Sequence, residues 1–194
     1  MKLIMIRHGA TEWSVTGQHT GRTDIPLTVE GLAEATESVA GVRRLLGDDF
    51  EAAVVFSSPL QRALVTAETI FAGRPITVDP DLAEFDYGAY EGLTSPQIRE
   101  RDASWSLWAT GCPGGETCAD VGKRADRFLA RAEAAGSVVV AVAHGHCLRI
   151  LAMRAVGLAP ELGAILTLDT ATVSVIEDVR GKRVIRRWNL NPRE

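Results

Sequence analysis

The chain has 194 residues, 46% of them hydrophobic and 24% charged, with a formal net charge of −4. That composition excludes a disordered or collagen-like chain, the length suits one domain spanning residues 1–194, and the slightly acidic balance argues against non-specific nucleic-acid binding. An anionic ligand would therefore have to be met by a local arginine cluster, not by the overall field.

Leu3 to Ile6 reads as a short buried strand. These four apolar residues are too few for a signal peptide, and no run in the chain approaches the length of a membrane span. Arg7 to Ile25 is rich in Gly, Thr and Ser and reads as a long loop, a length that usually marks function. Thr28 is the expected N-cap of a helix from Val29 to Leu46, with Leu32, Ala35, Val39, Val42 and Leu46 on one face and Gly47 ending it. Ala53 to Phe56 reads as a second strand. Ser58 as N-cap and Pro59 at the first helical position then open a helix from Leu60 to Phe71. Ile76 to Val78 is a third strand, short enough to leave open a homodimer paired across it.

Residues 79–118 are irregular and Gly-rich, with one short helix near Pro96 to Arg101, and a helix follows from Thr117 to Ala135. Val138 to Ala143 is an uninterrupted apolar run, the signature of a parallel strand covered on both faces. His144-Gly145-His146 turns into a helix ending near Gly157. Strands are expected at Ile165 to Leu168, Val173 to Asp178 and Val184 to Trp188. Alternating strand and helix point to an α/β fold with a mostly parallel sheet. Cys112, Cys118 and Cys147 are odd in number and lack C-x-x-C spacing. This argues against a disulfide framework or zinc site and for a reducing, cytoplasmic setting.

The chemistry-bearing residues follow successive strand ends, where open α/β sheets place their ligands. Arg7 and His8 follow the first strand, Arg62 the second, Glu84 the third, and His144 the long apolar strand. Singly, each has an ordinary reading as a turn, surface or solvated-loop residue. Together, two guanidiniums can grip a phosphoryl group bidentately, a neutral imidazole can attack it, and a carboxylic acid can protonate the leaving oxygen. No metal or other cofactor is required.

Arg7-His8-Gly9-Ala10-Thr11-Glu12-Trp13, Thr20-Gly21-Arg22-Thr23-Asp24, Ser57-Ser58-Pro59-Leu60-Gln61-Arg62, Glu84 with Tyr87-Gly88-Ala89-Tyr90-Glu91-Gly92, and His144-Gly145 resemble the motifs of the histidine phosphatase superfamily, the phosphoglycerate-mutase-like proteins. Trp13-Ser14, Gly17-Gln18-His19-Thr20-Gly21 and Gly111 to Glu116 look like a subgroup of mycobacterial acid phosphatases and fungal sedoheptulose-bisphosphatase-like proteins. The resemblance implies a three-layer α/β/α fold and a phosphatase acting on small phosphorylated metabolites through phosphorylated His8. It implies that Arg7, Arg62 and His144 line the phosphate pocket and that Glu84 is the acid and base. It places Ser14, Thr20, Gly21 and Gly145 against substrate, with Ser14 replacing an Asn that bonds phosphate in many members.

Trp105 and Trp108 read as packing anchors more than substrate contacts, and Glu116 as a helix-start residue. His146 is divided equally between a helix-start role and the pocket, and His19 reads by default as an exposed loop residue that could touch substrate. A cofactor-dependent mutase uses the same pocket but carries a longer segment between the acid and the second His. A non-catalytic phosphate binder would need neither His8 nor Glu84.

Overall fold

The computed structural model describes residues 1–194. In chain order the elements are β1 (Lys2–Arg7), a short helix α1 (Glu12–Thr16), α2 (Val29–Leu46), a single turn α3 (Asp49–Ala52), β2 (Val54–Ser57), α4 (Gln61–Ile70) and β3 (Ile76–Val78). They continue with α5 (Ser95–Arg101), α6 (Leu107–Thr110), α7 (Cys118–Ala135), β4 (Val138–Ala143), α8 (Gly145–Ala155), β5 (Val173–Val179) and β6 (Lys182–Leu190).

One six-stranded sheet runs in the order β3-β2-β4-β1-β5-β6. β3, β2, β4 and β1 pair in parallel, while β5 runs antiparallel to β1 and β6 to β5. Every residue of β4 is buried, because helices cover both faces of the sheet, as its unbroken apolar run requires. On one face Val42 and Leu46 of α2 and Ala63, Ala67 and Ile70 of α4 pack on Ile4, Ile6, Val140 and Val142. On the other, Phe128 of α7 and Leu148 and Leu151 of α8 pack on Leu3, Met5, Val139 and Ala141. The result is the three-layer α/β/α arrangement. A third cluster, built from Phe85, Tyr87, Tyr90, Ile98, Trp105, Leu107 and their neighbours, gives the irregular segment a core of its own.

Four expectations need correction. The loop after β1 contains α1, nucleated by a capping box in which Thr11 and Ser14 exchange side-chain-to-backbone bonds. Leu32 is 45% exposed, its place on the inner face of α2 taken by Gly31, Ala35 and Ser38. Gly31 lies against Ala10, so only a residue without Cβ fits there. The N-cap position of α4 is Leu60, not Ser58. Finally, Ile165 ends a 3-10 segment (Pro160–Ile165), and residues 166–168 form no strand. The carbonyls there serve side chains instead: Thr167 accepts from the Trp188 indole and Leu168 from the Arg7 guanidinium.

Candidate active site

β1 and β4 end side by side, Arg7 opposite Ala143, and the His8 amide extends the ladder by donating to the Ala143 carbonyl (3.0 Å). His8 is 4% exposed. Its Nδ1 lies 2.7 Å from the Gly9 carbonyl. A carbonyl can only accept, so Nδ1 carries the hydrogen and the lone pair is left on Nε2. Burial, with the positive charges of Arg7 and Arg62, holds the His8 pKa well below 6.5. The imidazole is therefore neutral at neutral pH.

His144, at the end of β4, meets His8 edge-on with ring centroids 5.1 Å apart. Arg62 Nε donates to its Nδ1 (3.1 Å), so the His144 hydrogen sits on Nε2 and goes to Ser58 Oγ (2.7 Å). Both ring nitrogens are thus committed, and burial keeps this imidazole neutral too. Here lies the reason Ser58 is not a helix cap of the usual kind: its hydroxyl serves His144 and only weakly accepts from the Leu60 amide (3.3 Å).

The rest of the Arg62 guanidinium donates to the carbonyls of Thr20, Gly21 and Thr23 at 3.0–3.1 Å. Glu91 holds the opposite polarity of the same loop, accepting from the amides of Gly21 (2.9 Å) and Thr23 (3.0 Å). One arginine takes the carbonyls and one carboxylate the amides, so the loop motif, the second-Arg motif and the acid segment are mechanically one unit. Gly21 is wedged there; a Cβ on it would fall 2.5 Å from the Phe85 carbonyl oxygen.

Glu84 sits at the N-terminus of α8, 8% exposed. Oε1 accepts from the amides of Phe85 and Cys147 (both 2.8 Å) and Oε2 from that of His146 (3.1 Å). Helix-start donors are a natural seat for a carboxyl group. Its main chain is fixed from below by Arg124, which donates to the carbonyls of Asp81, Ala83 and Glu84 and pairs with Glu116 at 2.9 Å. Glu116 in turn accepts from the Asp86 amide, so it is a brace and not a site residue. Burial pushes the Cys147 thiol up to about 12, which makes it inert.

A cleft of about 190 Å³ opens among these elements. Of the expected residues, Arg7, His8, Ser14, Thr20, Glu84 and Gly145 line it, whereas Arg62, His144 and Gly21 stand behind its wall. Ser14 lines it with its hydroxyl engaged, accepting from the Thr11 amide (2.8 Å) and donating to the Thr11 carbonyl (2.9 Å). Arg7 Nε is buried without any partner, a donor that a bound anion would satisfy.

The cleft also takes in residues that sequence reasoning did not assign to it. Arg149 is the main one, and its signal was periodic: four residues after Gly145 on a helix, it shares that residue's face. His146 is resolved in favour of the pocket, and His19, expected by default as an exposed loop residue, is half-buried and lines the pocket too, beside Tyr87. Trp105 is a buried anchor whose indole donates to the Gly111 carbonyl (2.8 Å). Trp108 backs the cleft wall, stacked under Arg149 (4.4 Å) and beside His146 (5.3 Å).

The model of the histidine phosphatase superfamily (branch 1) matches residues 3–191. An acid phosphatase of Mycobacterium tuberculosis is 40% identical over 186 residues, covering 94% of this chain and 89% of that protein. A 2,3-bisphosphoglycerate-dependent phosphoglycerate mutase of Methylobacterium radiotolerans is 37% identical over 167 residues, covering 78% and 77%. Among solved structures, that of a Mycobacterium tuberculosis open reading frame superposes with a TM-score of 0.89 at 39% identity, covering 98% of each chain. With that likeness running along nearly the whole length, on a sheet whose rim presents the His8 imidazole, the chain belongs to the histidine phosphatase superfamily, branch 1, and is an enzyme of the histidine phosphatase type.

Proposed function

We propose that this single-domain cytoplasmic protein is a metal-independent hydrolase of small phosphomonoesters, working through a phosphohistidine at His8 Nε2. The observation that carries the reading is the pairing of a neutral, buried His8 with the unpartnered Arg7 Nε at one cleft. The Nδ1–H bond to Gly9 leaves a lone pair for phosphorus, and the orphaned guanidinium donor awaits an equatorial oxygen. Positive charge aimed at developing oxyanion charge is the main catalytic resource of phosphoryl transfer.

In the first step Nε2 attacks phosphorus as the ester P–O bond breaks, and Glu84 delivers its proton to the leaving oxygen. Oε2, with one amide donor against two on Oε1, is the oxygen that carries that proton. In the second step water attacks phosphorus, the P–N bond breaks and Glu84 takes the water proton. The net result is alcohol and inorganic phosphate, with His8 and Glu84 restored. Arg62 and His144 act one layer back: Arg62 fixes the Thr20–Thr23 loop and adds positive charge, and His144 buttresses the His8 ring.

The test is release of nitrophenol from p-nitrophenyl phosphate with chelator present, together with trapping of an acid-labile phosphoprotein. Release that needs a divalent cation, or a label away from His8, sinks the reading. Mutase turnover is the second reading, favoured by the identity to a mutase. Interconversion of phosphoglycerate isomers without phosphate release would establish it instead.

A further inference from the structure

From Arg7 to Ala10 every backbone polar group has a partner. Among them only the Ala10 amide meets a carboxylate, donating to Glu34 Oε2 (2.9 Å). Packing puts Glu34 there. The start of α2 is pressed against the same stretch of chain: a Cβ on Gly9 would fall 2.1 Å from the Gly31 carbonyl oxygen, and one on Gly31 2.0 Å from that of Ala10. Three residues further along α2, Glu34 shares the Gly31 face. Its Oε1 accepts from the Thr170 hydroxyl (3.3 Å) and pairs with Arg193 (3.4 Å). Thr170 precedes Ala171, whose amide donates to the carbonyls of both Arg7 and His8 (3.1 Å each). One carboxylate thus braces the chain on both sides of His8.

The Ala10 N–H and the Gly9 C=O belong to a single peptide unit. That unit is planar and trans, so its two polar groups point in opposite directions. Glu34 at one edge therefore sets the aim of the Gly9 carbonyl at the other, and that carbonyl is the acceptor for His8 Nδ1–H (2.7 Å). A bond to a charged acceptor also polarises the unit, drawing negative charge onto the carbonyl oxygen. The effect falls where it counts. Burial, Arg7 and Arg62 all oppose a positive charge on the His8 ring, and the Gly9 carbonyl favours it.

We infer that Glu34 is a positioning residue for His8, acting through the Gly9–Ala10 peptide: it holds the ring in the Nδ1–H tautomer and steadies the positive charge that the ring takes on when Nε2 bonds phosphorus. In that step the Nε2 lone pair makes the P–N bond, the ester oxygen leaves with the P–O pair and takes the Glu84 proton, and Nδ1 keeps its hydrogen. Glu34 touches neither substrate nor the reacting atoms. The inference rests on the hydrolase reading for the step it serves, whereas the tautomer can be read without turnover.

The experiment pairs kinetics on p-nitrophenyl phosphate with nitrogen-15 NMR of histidine-labelled protein, for the wild type, E34Q and E34M. His144, whose hydrogen is on Nε2 and is set by Arg62 and Ser58, is the internal control and should not move. E34M removes the acceptor. It should lower kcat by about tenfold to a hundredfold, the worth of a hydrogen bond to a charged group, with KM changed by less than about threefold, and His8 should begin to populate the Nε2–H form. E34Q keeps an acceptor oxygen and loses the charge. It should retain the tautomer, lower kcat by about threefold to tenfold, and shift the His8 Nδ1–H proton upfield as its bond weakens. An E34M protein with wild-type kcat and an unmoved His8 spectrum overturns the inference. Should E34M fail to fold, E34Q decides by the same readouts: an unmoved Nδ1–H resonance with unchanged kcat overturns it. A displaced His8 tautomer with unchanged kcat would support the brace and remove His8 as the nucleophile, so the two readings fail separately.

Discussion

The cleft wall supplied by the sheet and the wall supplied by residues 79–117 with α8 are held together by different forces. Behind His8 and His144 lies hydrophobic burial: β4 is buried throughout, and both faces of β1 are packed by helices. The opposite wall has a smaller aromatic cluster and depends on ionic and polar braces, Arg124 with Glu116 below Glu84 and Tyr87 with His146 beside it. His8, the proposed nucleophile, thus stands on an apolar platform that excludes its charged form, while Glu84, the proposed acid, is held by directional bonds. That division suits the chemistry, since a nucleophile needs a free lone pair and an acid needs a fixed oxygen.

The largest break expected is on the sheet side. H8A should lower kcat by at least about 10⁴-fold and abolish the phosphoprotein, measured on p-nitrophenyl phosphate; substantial residual turnover would move the nucleophile elsewhere. Next comes the acid on the other wall. E84Q should slow alkyl phosphates by about 10²- to 10⁴-fold and nitrophenyl phosphate far less, because a good leaving group needs little protonation. Equal losses on both would remove Glu84 from that role.

Two smaller effects separate the walls by stability. R124M should cost about 3 kcal/mol by urea unfolding, since it strands Glu116 and three carbonyls. A loss below about 1 kcal/mol would mean that aromatic packing holds that wall. The sheet side should answer to pH. His8 and His144 have folded pKa values below the unfolded 6.5, so the unfolded chain binds more protons. Their contribution is complete above pH 6.5 and is lost as pH falls toward the folded values, by up to about 1.4 kcal/mol per pH unit for each. Over the same range His8 stays neutral, so kcat/KM should show no acid limb near 6.5. Such a limb would place His8 in a more hydrated setting.

Motifs reported the sheet side well. Arg7-His8, the β4 run and the Thr28-capped α2 end where their local signals put them, because apolar runs and caps act within a few residues. Reading was poorer where backbone groups find distant partners. The run at 165–168 has strand composition, yet its carbonyls go to Arg7 and Trp188. Ser58 has the look of a cap, yet its hydroxyl serves a histidine 86 residues away.

The sequence alone determined the family and the α/β class, and it named the residues proposed for the phosphoryl site, since those readings rest on residue identity and short-range order. Only the tertiary structure decided which arginines face the cleft. Arg62 turns inward to three loop carbonyls and His144, whereas Arg149 faces the cleft beside Arg7. For Arg149 that choice depends on the rotation of α8 about its axis, fixed by Leu148 and Leu151 against the sheet and Ile150 against the aromatic cluster. Helical spacing gives a residue's neighbours on its own face, but only packing says where that face points.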